Sequence, residues 1–508
     1  MRTLGLIVLV VVVAAADARA AIGRDQEPVV VTGATLPALS GRNVAELALF
    51  RYDVATASFV PIPFQVDERV DHRFNAGTAT EFEETLYDVF GEDDGLFDGG
   101  DEVAFLYGDA GSAAPAFAPW VAGADATRHE LVVTDPRPGA PAPERRVYLF
   151  TGASLPRSPV SYVAWSGSAS GDIVSSSWSV EFSDRWVLDG YRVLPPCGLG
   201  SDLIDRIKGR AGRNLNLESE QEWNLGSEYL GGVVGPVRAI RYVRGAASGV
   251  NTTHHDVIYP AFWERVVNLR VHPIARVALY VDLLPRVGTT VFTSRAPAGV
   301  AVDGVPDAGM STAFVPWAVV SGPSGGYVTL YDVPASGLYA SKLFYYRDDA
   351  SYDDALTPLY DDDDNASFGA QGVDLRDLNG SELDAIPFAF RIYPLCGGIG
   401  DADLGAAYQG LRDAPLQLAA VPQTRIAGPV RTLLASRQQA DVVLDWEAIP
   451  GTTAYRIYVA DFPDLPQASW APLGETTAPG FVDAGAAGAA QPRFYSVVGL
   501  NGSSEGVW

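Results

Sequence analysis

An all-β protein is predicted, and three observations predict it. Stretches in which apolar and polar residues alternate recur along nearly the whole chain, while the 3.6-residue spacing of an amphipathic helix is scarce. The alternating stretches are bounded by Gly, Pro, Asp and Ser, the residues that turn a chain between strands. The chain also carries 52 Gly and 35 Pro, enough to punctuate many short strands.

The clearest strand candidates run from Ala45 to Asp53, His129 to Thr134, Arg146 to Phe150 and Arg276 to Leu284. In each, apolar and polar residues alternate over most of the length, as a half-buried strand requires. The helical candidates are short, Asp202 to Arg213 and Asp403 to Gln409.

The N-terminus reads as an export leader over residues 1–20. Arg2 supplies a positive start, Leu4 to Ala16 is an unbroken apolar run, and Ala18-Arg19-Ala20 places small residues where a signal peptidase reads them. The run is shorter than the roughly 20 residues a membrane span needs. No later stretch approaches that length, so the mature chain is expected to be secreted or extracytoplasmic, with no membrane span.

The net charge is -26. Losing Arg2, Arg19 and Asp17 with the leader makes it -27, since two positive charges and one negative charge leave. Such a surplus of carboxylates disfavours nucleic acid, whose phosphates need clustered cations. It suits solubility, divalent cations or a neutral ligand.

Two cysteines in an oxidising compartment read as one disulfide, Cys197 to Cys396; two buried thiols, or a metal pair short of partners, are the alternatives. Both follow a short strand and a Pro and precede a Gly-rich turn with an Asp, at Asp202 and Asp401. Two matched loops at one end of a sandwich account for that.

A chain of 508 residues holds two or three domains. The C-terminal segment, 426–508, presents Val442 to Trp446, Pro450-Gly451, Tyr455 to Val459, Gly480 to Asp483 and Phe494 to Asn501. This order resembles a fibronectin type III domain, which implies a small sandwich with Trp446 in its core, Tyr495 on the penultimate strand and Asn501-Gly502 as the closing turn.

The remainder divides into an N-terminal β-sandwich region, 25–155, and a main β-sandwich body, 156–420. The first carries Phe50 to Asp53, Gln65-Val66-Asp67, Asp93 to Asp98 and Asp101-Glu102-Val103-Ala104-Phe105. That combination resembles the opening of secreted bacterial β-sandwich proteins. The second carries Asp205 to Lys208 and Gly235-Pro236-Val237-Arg238 ahead of a long antiparallel run. It resembles the supersandwich of galactose-mutarotase-like proteins and polysaccharide lyases.

Four constellations are candidates for chemistry. In the loop Gly91 to Glu102, Glu92, Asp93, Asp94, Asp98 and Asp101 are candidate calcium ligands around a turn at Gly95. Calcium takes about six to eight oxygens, several from carboxylates. The EF-hand register fails, because a sixth-position Gly95 puts Phe90 first and Asp101 last. A solvated loop whose Asp residues cap turns is the equal alternative. A second acidic run, Asp348 to Asp364, favours a solvated loop.

The third constellation spans Arg238 to His272. Arg241, Arg244, His254 and Tyr259 are the candidate catalytic residues. An Arg-rich sheet face would hold a uronate carboxylate, and a His or Tyr beside it would move the proton that a polysaccharide lyase must transfer. An exposed face whose Arg pair with the chain's surplus carboxylates is the competing account. His254-His255 is not a metal signature, because neighbouring strand residues point to opposite faces. Fourth, Glu218, Glu220 and Glu222 precede Trp223. They suit either sugar chemistry or a charged edge strand, and the edge strand is preferred.

No zinc-protease motif or phosphate loop with Lys is present. Gly322-Pro-Ser-Gly-Gly326 lies between two strand-like runs and reads as a hairpin turn, not a nucleophile elbow. The leading expectation is a secreted, calcium-assisted β-sandwich protein that binds extracellular carbohydrate, with or without lyase activity. The competing one is a non-catalytic adhesion or structural protein that meets a cell-surface partner.

Overall fold

The computed structural model describes residues 22–508 except 116–117, 141–142, 214–215, 353–365, 398, 426–429, 450–451, 467–468, 502–503 and 507–508. The leader and most of the second acidic run therefore lie outside the described residues. The chain is all-β and antiparallel, and no helix among the described residues is long and apolar enough to cross a membrane.

At the N-terminus a three-stranded sheet (Pro28–Thr32, Glu102–Leu106, Gln65–Asp67) packs on a five-stranded one. Inward residues such as Val31, Phe50, Val103, Phe105 and Leu149 form its core. The five-stranded sheet ends in an edge strand the sequence does not announce. Gln417–Thr424 pairs along Thr127–Thr134, with Arg128 opposite Gln423. A boundary at 420 thus cuts through a strand that completes the N-terminal sandwich. Its side chains are mostly exposed, so it lacks the apolar alternation that marks a strand in sequence.

The body faces a nine-stranded sheet across a shared core with a five-stranded sheet, beside a four-stranded one. The long sheet runs Glu228–Val234, Ala239–Arg244, Thr253–Ile258, Trp263–Leu269, Ile386–Pro394, Tyr327–Asp332, Trp317–Ser321, Thr290–Thr293, Ala296–Ala301. One face of the long sheet looks into the core through Val243, Ile258, Trp263 and Ile392. Its other face, with Ile240, Tyr242, Val257, Tyr259, Phe262 and Tyr393, is covered by the hairpin Arg69–Phe74/Phe82–Tyr87 and by a helix, Ala402–Asp413. That helix is the one expected at 403–409, capped by Asp401, whose side chain accepts the N–H of Leu404. A Cβ on its Gly405 would lie 2.3 Å from the Trp317 ring, so glycine is what permits the approach.

Two expectations are corrected. Residues 202–213 are not helical: Ile204–Arg213 is a strand paired with Ile274–Leu283. Ile207 and Ala211 enter the core, while Lys208 and Arg210 on the opposite face are also buried, ion-paired with Asp282 and Glu220. Nor do Glu218, Glu220 and Glu222 share one extended edge. Ser219 caps a short helix, Glu220–Leu225, and Glu222 reaches back to its backbone in a capping box.

Cys197 and Cys396 are bonded, 199 residues apart in sequence, and join the two Gly-rich loops. In the C-terminal segment a sheet of Leu434–Gln438, Asp441–Asp445 and Gly480–Asp483 faces one of Ala471–Thr476, Ala454–Ala460, Phe494–Asn501 and Ser504–Glu505. Leu444, Trp446, Tyr455, Ile457 and Val497 pack between them.

Candidate functional site

Strand alternation separates the four candidate catalytic residues. On Ala239–Arg244, Arg241 shares the core face with Val243, whereas Arg244 points outward with Ile240 and Tyr242. On the neighbouring strand His254 and Asp256 point inward, and Tyr259 lies just beyond its end on the outer face.

Arg241 and His254 are consumed by the core. Arg241 donates to Asp256 Oδ2 at 3.0 Å and to the carbonyls of Arg185 and Ala169 at 3.0 and 2.7 Å. Arg265 holds the same carboxylate through Nε and Nη2, and Trp263 Nε1 adds a third donor at 2.9 Å. Burial pushes the Asp256 carboxyl up, but the surrounding charges, Arg265 foremost, hold it well below the usual range. Burial drives His254 well below the usual imidazole range, so it is neutral, with its ring against Trp186 at 4.0 Å. Arg241, His254 and Asp256 are each at most 1% exposed.

Arg244 fastens the covering hairpin. It lies over the Phe74 ring at 4.9 Å and donates to the side chains of Asn75 and Asn251. Tyr259 lines a cleft.

That cleft, about 330 Å³, opens between the N-terminal sandwich and the outer face of the long sheet. Its polar floor is built from residues distant in sequence. Arg238 donates through Nε to Asp67 at 2.7 Å, through Nη2 to Glu102 at 2.7 Å and through Nη1 to the Tyr259 hydroxyl at 2.6 Å. Glu102 accepts the Tyr87 hydroxyl at 2.8 Å and Arg69 at 2.9 Å. On the far wall Arg391 pairs with Glu264, its register partner across the strands, at 2.8 Å, and lies over the Phe262 ring at 4.3 Å.

Burial raises the phenol pKa of Tyr87 and Tyr259 despite the pull of Arg238, so both stay protonated at neutral pH. Burial also pushes Glu102 up, but Arg238, the Tyr87 hydroxyl and Arg69 together outweigh it and the net shift is down. The floor is therefore a set of ion pairs and neutral hydroxyls.

A second cleft of about 360 Å³ shares Glu27 with the first and is lined by Tyr393, Leu404 and Tyr408. Three motifs noted in the sequence converge beside the first. Gln65 accepts the backbone N–H of Arg238 at 3.1 Å, Asp67 takes its guanidinium, and Asp101 accepts the N–H of Arg69 at 3.0 Å.

In the acidic loop the carboxylates hold the loop's own backbone. Asp88, which the sequence reading passed over, accepts four amides, those of Phe90, Gly91, Glu92 and Asp93. Asp93, Asp94, Asp98 and Asp101 accept from Asp94, Leu96, Gly100 and Asp98, and Glu92 meets His72 at 3.0 Å. Among the described residues no three His, Cys, Asp or Glu side chains are arranged to hold one metal ion. Glu68 stands beside this loop, and burial followed by the charges of Asp93, Asp101, Asp88 and Asp94 pushes its carboxyl up to about 7.

No protein-family model matches the sequence, and no curated protein matches it. Among solved structures, the crystal structure of a copper-containing benzylamine oxidase from Hansenula polymorpha is similar over 70% of this chain and 80% of that one. The identity is 8% and the TM-score 0.27, too slight a likeness to bear on fold or chemistry.

Proposed function

We propose that this is an extracytoplasmic glycan-binding protein whose ligand lies in the cleft between the N-terminal sandwich and the long sheet. One observation carries the reading: Phe262, Tyr87 and Tyr259 line a cavity of small-molecule size whose floor presents Glu102 and Arg238. The apolar wall that these nearly buried rings form suits the C–H face of a sugar, and fixed carboxylates and hydroxyls suit its OH groups. The disulfide and the leader-like N-terminus support an oxidising compartment. The C-terminal module, with its fibronectin-like order, serves as a spacer or docking unit.

Binding without elimination is the better reading. Elimination needs a base to take the proton next to the uronate carboxylate. His254 is sealed in the core, the two phenols facing the cleft hold their protons, and the carboxylates Glu27, Glu102 and Glu264 are ion-paired with Arg24, Arg238 and Arg391. The test is a glycan array with intact protein and with Phe262→Ala, each with and without chelator, followed by an ultraviolet assay for unsaturated uronates. Retention of a glycan that is lost in Phe262→Ala supports the reading, and loss in chelator adds calcium to it. Absence of any glycan binding overturns it, and new ultraviolet absorbance would restore the lyase.

A further inference from the structure

We infer that the ligand is an uncharged oligosaccharide long enough to occupy both clefts; this rests on the glycan reading above and names its substrate class. The first cleft offers no unpaired cation to an acidic sugar. Arg69 and Arg238 are held by Glu102 and Asp67, and Arg391 by Glu264. An arriving uronate would meet Glu27, Glu102 and Glu264 and would have to displace a partner from a buried pair, leaving a charge uncompensated. Hydroxyls carry no such penalty and can add to the lone pairs the ion pairs leave open.

The length follows from a run of aromatic rings that crosses from one cleft to the other. Tyr259 and Phe262 are 5.0 Å apart, Phe262 and Tyr393 5.1 Å, Tyr393 and Tyr408 4.6 Å, centroid to centroid. The first two rings line the first cleft and the last two the second, and Glu27 lines both. Tyr393 also accepts from Arg391 at 3.3 Å, which ties the two walls together. Each cavity falls within the size of a small-molecule site, roughly 300 Å³ or more. Tyr259, Phe262 and Tyr393 are almost fully buried and Tyr408 is half-buried, so together they form an apolar wall common to both clefts, along which a chain of sugars can run with its hydroxyls on the polar groups beside it.

The test uses two ladders, neutral β-linked glucan, xylan and mannan oligosaccharides and the corresponding oligogalacturonides, from disaccharide to octasaccharide, titrated calorimetrically. For a neutral series, affinity is expected to climb with length and then level off. Tyr408→Ala is expected to remove that gain, by about tenfold or more, while leaving the disaccharide unchanged; Tyr408→Leu, which keeps the volume, is a second variant, and a melting curve confirms folding in each. Phe262→Ala is expected to weaken every length. Tighter binding of the oligogalacturonides overturns the uncharged assignment. A length gain that survives both Tyr408 variants overturns the two-cleft assignment, yet leaves the glycan reading standing. If neither ladder binds, the glycan reading falls, and this inference with it.

Discussion

The side-chain carbonyl of Gln65 accepts the backbone N–H of Arg238 at 3.1 Å, and Asp67, two residues on, receives that arginine's Nε at 2.7 Å. One short strand of the N-terminal sandwich thus grips both the main chain and the side chain of a residue on the long sheet. The cleft exists because these two units are held at this joint.

Gly235 is the hinge pin of that grip. A Cβ there would lie 2.1 Å from the Gln65 amide carbon, and that amide is fixed by Arg238 on one side and Asp67 on the other. Gly235→Ala is expected to lower stability by about 1–3 kcal/mol, as overpacking does. Urea unfolding checks it; an unchanged midpoint contradicts the account.

Arg238→Met leaves Asp67 without its cation and Glu102 with Arg69 alone. Asp67 is buried, and its carboxyl is already pushed up by that burial against the pull of Arg238. Removing one member of a buried pair costs about 3–5 kcal/mol. The double variant with Asp67→Asn is expected to recover part of the loss, a coupling that a double-mutant cycle measures.

Glu68 makes stability fall as the pH rises from acid to neutral. Its folded carboxyl sits at about 7, above its unfolded value of 4.5. Stability from the protonated form is complete below the unfolded value and is lost as pH rises through the folded one. Glu68→Gln is therefore expected to flatten the melting temperature between about pH 5 and 7, and to raise it at slightly alkaline pH. A variant with the same slope as the parent refutes this. Because Glu68 is partly exposed, the effect is a shift in slope and not a large free energy.

Replacing Cys197 and Cys396 together by alanine opens a loop that spans 199 residues. The chain-entropy account gives an upper bound of about 5 kcal/mol for a loop of this size. The measurement is denaturant unfolding of the double variant against the parent, with the same reductant in both.

How far the sequence reaches is visible in particular residues. The sheets were legible because segments such as His129 to Thr134 carry the alternation of a strand with one buried face. The bonding of Cys197 to Cys396 followed from their matched surroundings. Ile204–Arg213 misled because Ile204, Ile207 and Ala211 recur at helical intervals. What makes it a strand is a second buried face, on which Lys208 and Arg210 meet Asp282 and Glu220, and only the fold brings in the more distant of those partners. The capping box at Ser219 was legible in principle, as Ser-x-x-Glu, and was overlooked. The cleft was not, since Tyr87, Glu102, Arg238, Phe262 and Arg391 come from separate segments. Its trace was that the three motifs around Gln65, Asp101 and Gly235, which carried the resemblances to β-sandwich families, meet beside it. Sheet parity decides between Arg241 and Tyr259, and parity is invisible until the register is known.

The strand Gln417–Thr424 closes a sheet begun near the start of the chain, with Arg128 and Gln423 bonded across 295 residues. A polypeptide that emerges from its N-terminus must therefore leave the first sandwich with a raw edge until almost the whole body has appeared. The chain thus has no finished domain at its front while it is being made, and shortening the gene anywhere before residue 424 takes a strand from the N-terminal sandwich.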